Sequence, residues 1–235
     1  MIEGIKLIEN MVTFQGEGPD TGKRMILLRY KKCDRVENKK PCFFCDTLIK
    51  MRVSNEASYP LENIQEIITN QSLGIMCTGG EPTYDEYFDS TLTLLTKLKY
   101  PYANVESNGY KLVELIEKFN ESEKISNNVM FLYSPKFFDS DELNNEICKS
   151  IKLISMMEHN DIRFKVVYDE KNNLVKKYLD YLSENIKTSI NNNVYLMPQG
   201  KSREELIENS PAVFDACEYY KFNFSSREHL IFGFI

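Results

Sequence analysis

Long apolar runs are missing from this sequence. No stretch approaches the roughly 18 residues of a membrane-spanning helix, so an integral membrane protein is not expected. The opening MIEGIKLIEN lacks the basic-then-apolar layout of a secretory leader, which makes the cytoplasm the expected compartment. Basic charge is also in short supply: the formal net charge is -6 and no Lys/Arg block outweighs its acidic neighbours. Composition therefore does not support duplex nucleic acid or an anionic membrane surface as a partner. Histidine is limited to His159 and His229, so a tetrahedral metal site has little imidazole to draw on.

What remains is an ordinary globular composition, 235 residues with 42% apolar and 27% charged, long enough to bury a substantial core. A single domain acting on a small molecule is the expectation. Six cysteines in a reducing compartment argue against a disulfide framework. Cys33, Cys42 and Cys45 crowd into thirteen residues, whereas Cys77, Cys148 and Cys217 are scattered and read as core residues. Three thiolates leave one metal position open. A closed zinc site wants four ligands, and the sequence excludes neither a histidine nor Asp46 as the fourth. A three-cysteine iron-sulfur cube would instead keep one iron for a substrate or cofactor.

Short apolar runs alternate with amphipathic segments, the pattern of parallel strands joined by crossover helices. Strands are expected over 6–9, 25–30, 73–77, 103–106, 129–133, 162–168 and 194–196. Helices are expected over 87–98, 111–119, 142–157 and 173–185, and Pro60 reads as the first-turn proline of another, with Leu61, Ile64, Ile67 and Ile68 on one face. Ser202 and Glu205 form a capping box, Pro211 should break or kink the helix that follows, and 230–234 reads as a final strand or tail. About six strand-helix units are too few for a closed eightfold barrel, so the α/β fold expected is a partial, open barrel of about six strands. Ligands in such folds sit at the carboxyl ends of strands, where loops 77–82, 106–109, 134–136 and 197–200 all fall.

Gly79-Gly80-Glu81-Pro82 after a strand lets backbone groups approach a ligand closely. Together with the upstream cysteines it resembles the radical S-adenosylmethionine superfamily. Phe14-Gln15-Gly16-Glu17-Gly18, Arg29, Cys45-Asp46-Thr47, Thr78 to Pro82, Glu106-Ser107-Asn108-Gly109, Ser134-Pro135-Lys136 and Ser226-Arg227-x-His229 occur in that order. That set resembles the 7-carboxy-7-deazaguanine synthase (QueE) family of the deazapurine pathway to queuosine, over nearly the whole chain.

The resemblance implies one radical-SAM domain over 1–235, with a cluster loop over 31–47 and a substrate-proximal segment over 222–235. It implies a lyase that contracts the ring of 6-carboxy-5,6,7,8-tetrahydropterin to 7-carboxy-7-deazaguanine, releasing ammonia. The implied cofactors are a 4Fe-4S cluster on Cys33, Cys42 and Cys45, S-adenosylmethionine that is regenerated, and magnesium on Thr47. Phe44, Cys45, Asp46, Gly80, Ser134, Pro135, Lys136, Met197, Pro198, Gln199 and Gly200 would line the S-adenosylmethionine site. Phe14, Gln15, Gly16, Glu17, Arg29, Thr78 and the terminal carboxylate of Ile235 would contact substrate, with Glu106, Asn108, Arg227 and His229 nearby. No catalytic residue beyond cluster and cofactor is assigned. Arg29 suits a planar bidentate grip on the substrate carboxylate, and Glu17 suits the donor edge of a pterin. The implied partners are a second copy of the chain and a flavodoxin- or ferredoxin-type electron donor.

Some residues depart from the family pattern. Eight residues rather than three separate Cys33 from Cys42, Phe44 stands where the family often has tryptophan, and the C-terminal match is loose. A glycyl-radical enzyme activase shares the cysteines and the glycine loop, and a zinc-stapled binding module is the non-enzymatic alternative.

Overall fold

In the computed structural model, which describes residues 4–186 and 193–234, the chain divides into two units. The first comprises Met1–Phe14 with Lys23–Phe131, and the second Gln15–Gly22 with Leu132–Ile235.

The first unit runs β1 (Gly4–Leu7), β2 (Glu9–Phe14), β3 (Arg24–Arg29), α1 (Asp34–Glu37), α2 (Leu48–Val53), β4 (Ala57–Pro60), α3 (Leu61–Gln71), β5 (Gly74–Thr78), α4 (Phe88–Lys97), β6 (Ala103–Ser107) and α5 (Leu112–Glu121). β3, β5 and β6 lie parallel in that order, and β2 closes the edge antiparallel to β3. Met25 to Leu28 are all buried, as a parallel strand covered on both faces requires. The crossover helices bury one stripe each: Leu112, Leu115, Ile116 and Phe119 of α5 follow the 3.6-residue period. Proline at position 60 stands just before α3, where a missing N–H costs the helix nothing. β1 pairs with β4 in a separate antiparallel ladder. β4, α1 and α2 are too short to leave a periodic signal.

β7 (Val129–Tyr133) straddles the division. The second unit continues with α6 (Ser140–Met156), β8 (Asp161–Tyr168), α7 (Asn173–Asn185), β9 (Val194–Pro198), α8 (Arg203–Tyr220), β10 (Asn223–Phe224) and α9 (Glu228–Phe232). β8, β9 and β10 are parallel neighbours. The helices start where side chains satisfy free amides: Asp139 accepts from Glu142 N, Asn172 from Leu174 N, and Ser202 from Glu205 N. Glu205 reaches back to Lys201 N at 2.7 Å, one residue earlier than in the standard box.

Some local expectations are not met. Of the break or kink expected at Pro211, the break does not occur: α8 continues from Arg203 to Tyr220. The carbonyl that proline leaves without an amide belongs to Ile207, an exposed residue, while Ser210 Oγ donates to Leu206 O at 2.6 Å. The run 230–234 is no strand either. Leu230 N and Ile231 N donate to Arg227 O, and Gly233 at φ +68° ends the short helix α9. Of the scattered cysteines Cys77 and Cys217 are buried, but Cys148 is exposed on α6. Among the described residues no helix is long and apolar enough to cross a membrane.

Candidate active site

In the first unit the cysteine loop follows β3. Cys33 caps α1 and Cys45 stands just before α2, and neither these two nor Cys42 is in a disulfide. The carbonyl of Cys33 receives the amides of Val36 and Glu37, each at 3.0 Å. Burial pushes both thiols up, with Asp34 beside Cys33 and Asp46 beside Cys45 adding to it. A metal binding at these thiols must displace their protons, as at any thiol ligand. Three soft sulfur donors fit an iron-sulfur centre. Phe43 and Phe44 stack edge to face between Cys42 and Cys45, their centroids 5.0 Å apart.

The glycine loop after β5 is strapped to the chain that carries Cys33. Gly80 has φ +50°, and a Cβ there would lie 2.5 Å from Lys32 O and 2.8 Å from Tyr30 O, so only glycine fits. Glu81 N donates to Lys32 O at 2.8 Å. The Glu81 carboxyl, fully buried, accepts from Thr83 N, Thr83 Oγ1, Ser107 Oγ and Asn108 N, tying the loop after β5 to the loop after β6. Burial pushes this carboxyl up against those four bonds. The sequence motif flagged Glu81 only as a helix-starting acid; its role as the organiser of two loops depends on Ser107 and Asn108, which are distant in the chain. Asn108 Nδ2 is 2.7 Å from Asp34 Oδ1 and 3.6 Å from Cys33 Sγ.

A polar row crosses the strand ends of this unit. Glu9 is opposite Arg29, Arg29 is opposite Thr78, and Thr78 Oγ1 donates to Glu106 Oε2 at 3.0 Å. Arg29, 8% exposed, donates from Nε to Glu9 Oε2 at 2.5 Å and from Nη1 to Thr47 Oγ1 at 3.2 Å. Thr47 in turn donates to Asp46 Oδ1 at 3.1 Å. This hydroxyl and carboxylate are hard oxygen donors of the kind magnesium takes, although the guanidinium competes for the Thr47 oxygen. Phe14, at the end of β2, is 47% exposed.

The second unit gathers the remaining expected residues. Gln15 is buried, and its Oε1 accepts from Glu17 N at 3.2 Å. A Cβ on Gly16 would lie 2.5 Å from His229 Nδ1, and Gly16 O accepts from Glu228 N at 2.9 Å. Glu17 meets Lys165 Nζ at 2.5 Å and Arg227 Nε at 3.0 Å, with His229 Nε2 at 3.7 Å. Burial alone would raise the Glu17 carboxyl; the surrounding cations outweigh it and hold the group well below the carboxylate range. Lys165, buried in β8, was not singled out from sequence, because a lysine inside an apolar strand carries no motif. Arg227 Nη1 also donates to Gly200 O at 2.6 Å, and Gln199 N donates to Tyr168 O at 3.3 Å. Met197 is buried and Pro198 ends β9. Ser134 Oγ donates to Lys165 O at 3.1 Å, Lys136 Nζ donates back to Ser134 O and Oγ, and Pro135 stands between them. Ile235 lies outside the described residues.

No protein-family model matches the chain. A 7-carboxy-7-deazaguanine synthase of Clostridium acetobutylicum is 26% identical over 197 residues, covering 82% of this chain and 80% of that protein. The crystal structure of QueE from Escherichia coli superposes with a TM-score of 0.59 at 16% identity, over 96% of this chain and 95% of that one. The chain thus has an α/β fold with mostly parallel strands similar to QueE, and a sequence similar to a 7-carboxy-7-deazaguanine synthase.

Proposed function

We propose that this chain is a radical S-adenosylmethionine enzyme that converts 6-carboxy-5,6,7,8-tetrahydropterin to 7-carboxy-7-deazaguanine with release of ammonia. The observation that carries this reading is the cysteine loop: three thiols outside any disulfide on one short loop after β3, and a glycine turn strapped to the same backbone. The 26% identity to a synthase over four fifths of both chains supports the choice of substrate. Cys33, Cys42 and Cys45 would hold a 4Fe-4S cluster, whose chemistry when bound would be one-electron reduction of the S-adenosylmethionine sulfonium.

The protein's own part is positioning. The Gly79-Gly80 backbone accepts the cofactor's ammonium, Phe44 shields the cysteines from water, and the 134–136 and 197–200 loops hold the nucleoside. Arg29 takes the substrate carboxylate, Thr78 and Glu106 hydrogen-bond the pterin, and Thr47 would hold magnesium. In the second unit Gln15 and Glu17 offer acceptors to the pterin's donor edge. A cytoplasmic homodimer reduced by a flavodoxin- or ferredoxin-type protein completes the proposal.

Anaerobic reconstitution with iron and sulfide tests it. The expected result is brown protein with about four irons per chain that forms 7-carboxy-7-deazaguanine from the carboxytetrahydropterin. Colourless zinc-loaded protein, or a glycyl radical raised on a partner with no deazaguanine formed, overturns it.

A further inference from the structure

Resting on the proposed role of Arg29, we infer that Glu9 is a positioning residue that dictates how Arg29 presents its guanidinium to an anionic ligand. The two residues are direct cross-strand partners in the β2–β3 ladder, and Ile8 N donates to Arg29 O at 2.9 Å, so backbone register alone brings Glu9 to Arg29. An arginine can meet a carboxylate through its side edge, Nε with one Nη, or through its end, Nη1 with Nη2. Glu9 Oε2 occupies Nε at 2.5 Å. The side edge is closed, and the end pair is what a ligand can grip.

Two further contacts fix the orientation. Nη1 is anchored on Thr47 Oγ1 at 3.2 Å, and the Arg29 side chain lies against Gly79, where a Cβ would overlap its Cγ and sit 3.1 Å from Nη1. Glu9 does not cancel the positive charge of the site, because Lys50 Nζ shares the same carboxylate at 3.0 and 3.3 Å. Glu9, Arg29 and Lys50 together carry one negative and two positive charges, while Asp46 and Glu106 continue the row beyond Thr47 and Thr78. Glu9 thereby selects a planar carboxylate approaching end-on and disfavours a neutral substituent.

The test uses two stable fluorescent ligands, 6-carboxypterin and 6-methylpterin, titrated into the anaerobically reconstituted protein. Wild type is expected to prefer the carboxylated ligand at least tenfold. Glu9→Gln keeps the shape and removes the charge, and Glu9→Asp keeps the charge and shortens the reach. Each should reduce the ratio of the two affinities about tenfold; Glu9→Gln should also lower the urea midpoint, because the buried Arg29 loses its carboxylate partner, while 6-methylpterin affinity stays nearly unchanged. In an Arg29→Met background the preference should vanish, and Glu9→Gln should then have no further effect on the ratio. Equal weakening of both ligands by Glu9→Gln, or an unchanged ratio, overturns the inference while leaving the Arg29 reading intact. A wild type that shows no preference for the carboxylate overturns the Arg29 reading itself.

Discussion

Replacing Gly80 with alanine separates two costs that the structure makes distinct. At φ +50° any L residue pays roughly 1–2 kcal/mol for the left-handed backbone. The new Cβ would also lie 2.5 Å from Lys32 O, 2.8 Å from Tyr30 O and 3.1 Å from Tyr30 C, all backbone atoms in or beside β3. Those atoms cannot rotate away, and forcing an extra carbon into such a contact costs about 1–3 kcal/mol more. Gly22 supplies the control, since it too has positive φ, +86°, but a Cβ there would meet nothing within 4 Å. Gly80→Ala should therefore cost about 2–5 kcal/mol and Gly22→Ala about 1–2 kcal/mol. Urea unfolding of the apo proteins reads both through the midpoint at an unchanged slope. Because the displaced loop is strapped to the chain carrying Cys33, Gly80→Ala should also lower iron retention after anaerobic reconstitution, while Gly22→Ala should not. Two variants within about 0.5 kcal/mol of each other, or Gly80→Ala retaining full iron, would refute the steric argument.

Cys42→Ala should abolish iron binding and turnover together, read by iron content and product formation; a variant that keeps the full cluster removes Cys42 from the ligand set. Thr47→Ala should weaken magnesium-dependent turnover preferentially, and a complete magnesium response in the variant would cancel that assignment. Glu81→Gln places an amide among four donors and should cost about 1–3 kcal/mol in the urea midpoint, whereas a neutral effect would mean that the carboxylate does not hold the two loops. The Glu17 carboxyl is depressed in the folded chain, so its contribution to stability is complete above the unfolded value of about 4.3 and is lost as pH falls below it. Glu17→Gln should leave Lys165 and Arg227 uncompensated at a cost of about 3–5 kcal/mol near neutrality. The variant's midpoint should also fall less steeply than wild type below pH 4.5; parallel acid limbs would show that Glu17 is not the group being titrated.

Residues near one another in the chain determined much of this protein from sequence alone. Helix periodicity placed 173–185 to the residue and the others within about two, because amphipathic burial repeats every 3.6 residues whatever the neighbours are. The Ser202 cap was legible for the same reason, as donor and acceptor are three residues apart. Cys33, Cys42 and Cys45 stood out by crowding, and the glycine turn by composition. Tertiary structure alone decided what those residues touch. Register across β2 and β3 brought Glu9 to Arg29, burial turned Glu81 into the tie between two loops, and β8 delivered Lys165 to Glu17 across 148 positions. Pro211 stayed inside α8 because the carbonyl it orphans is on an exposed residue, which the chain's order does not reveal. Pairing across strands and loss of solvent are long-range effects, and a sequence pattern records only the short-range ones.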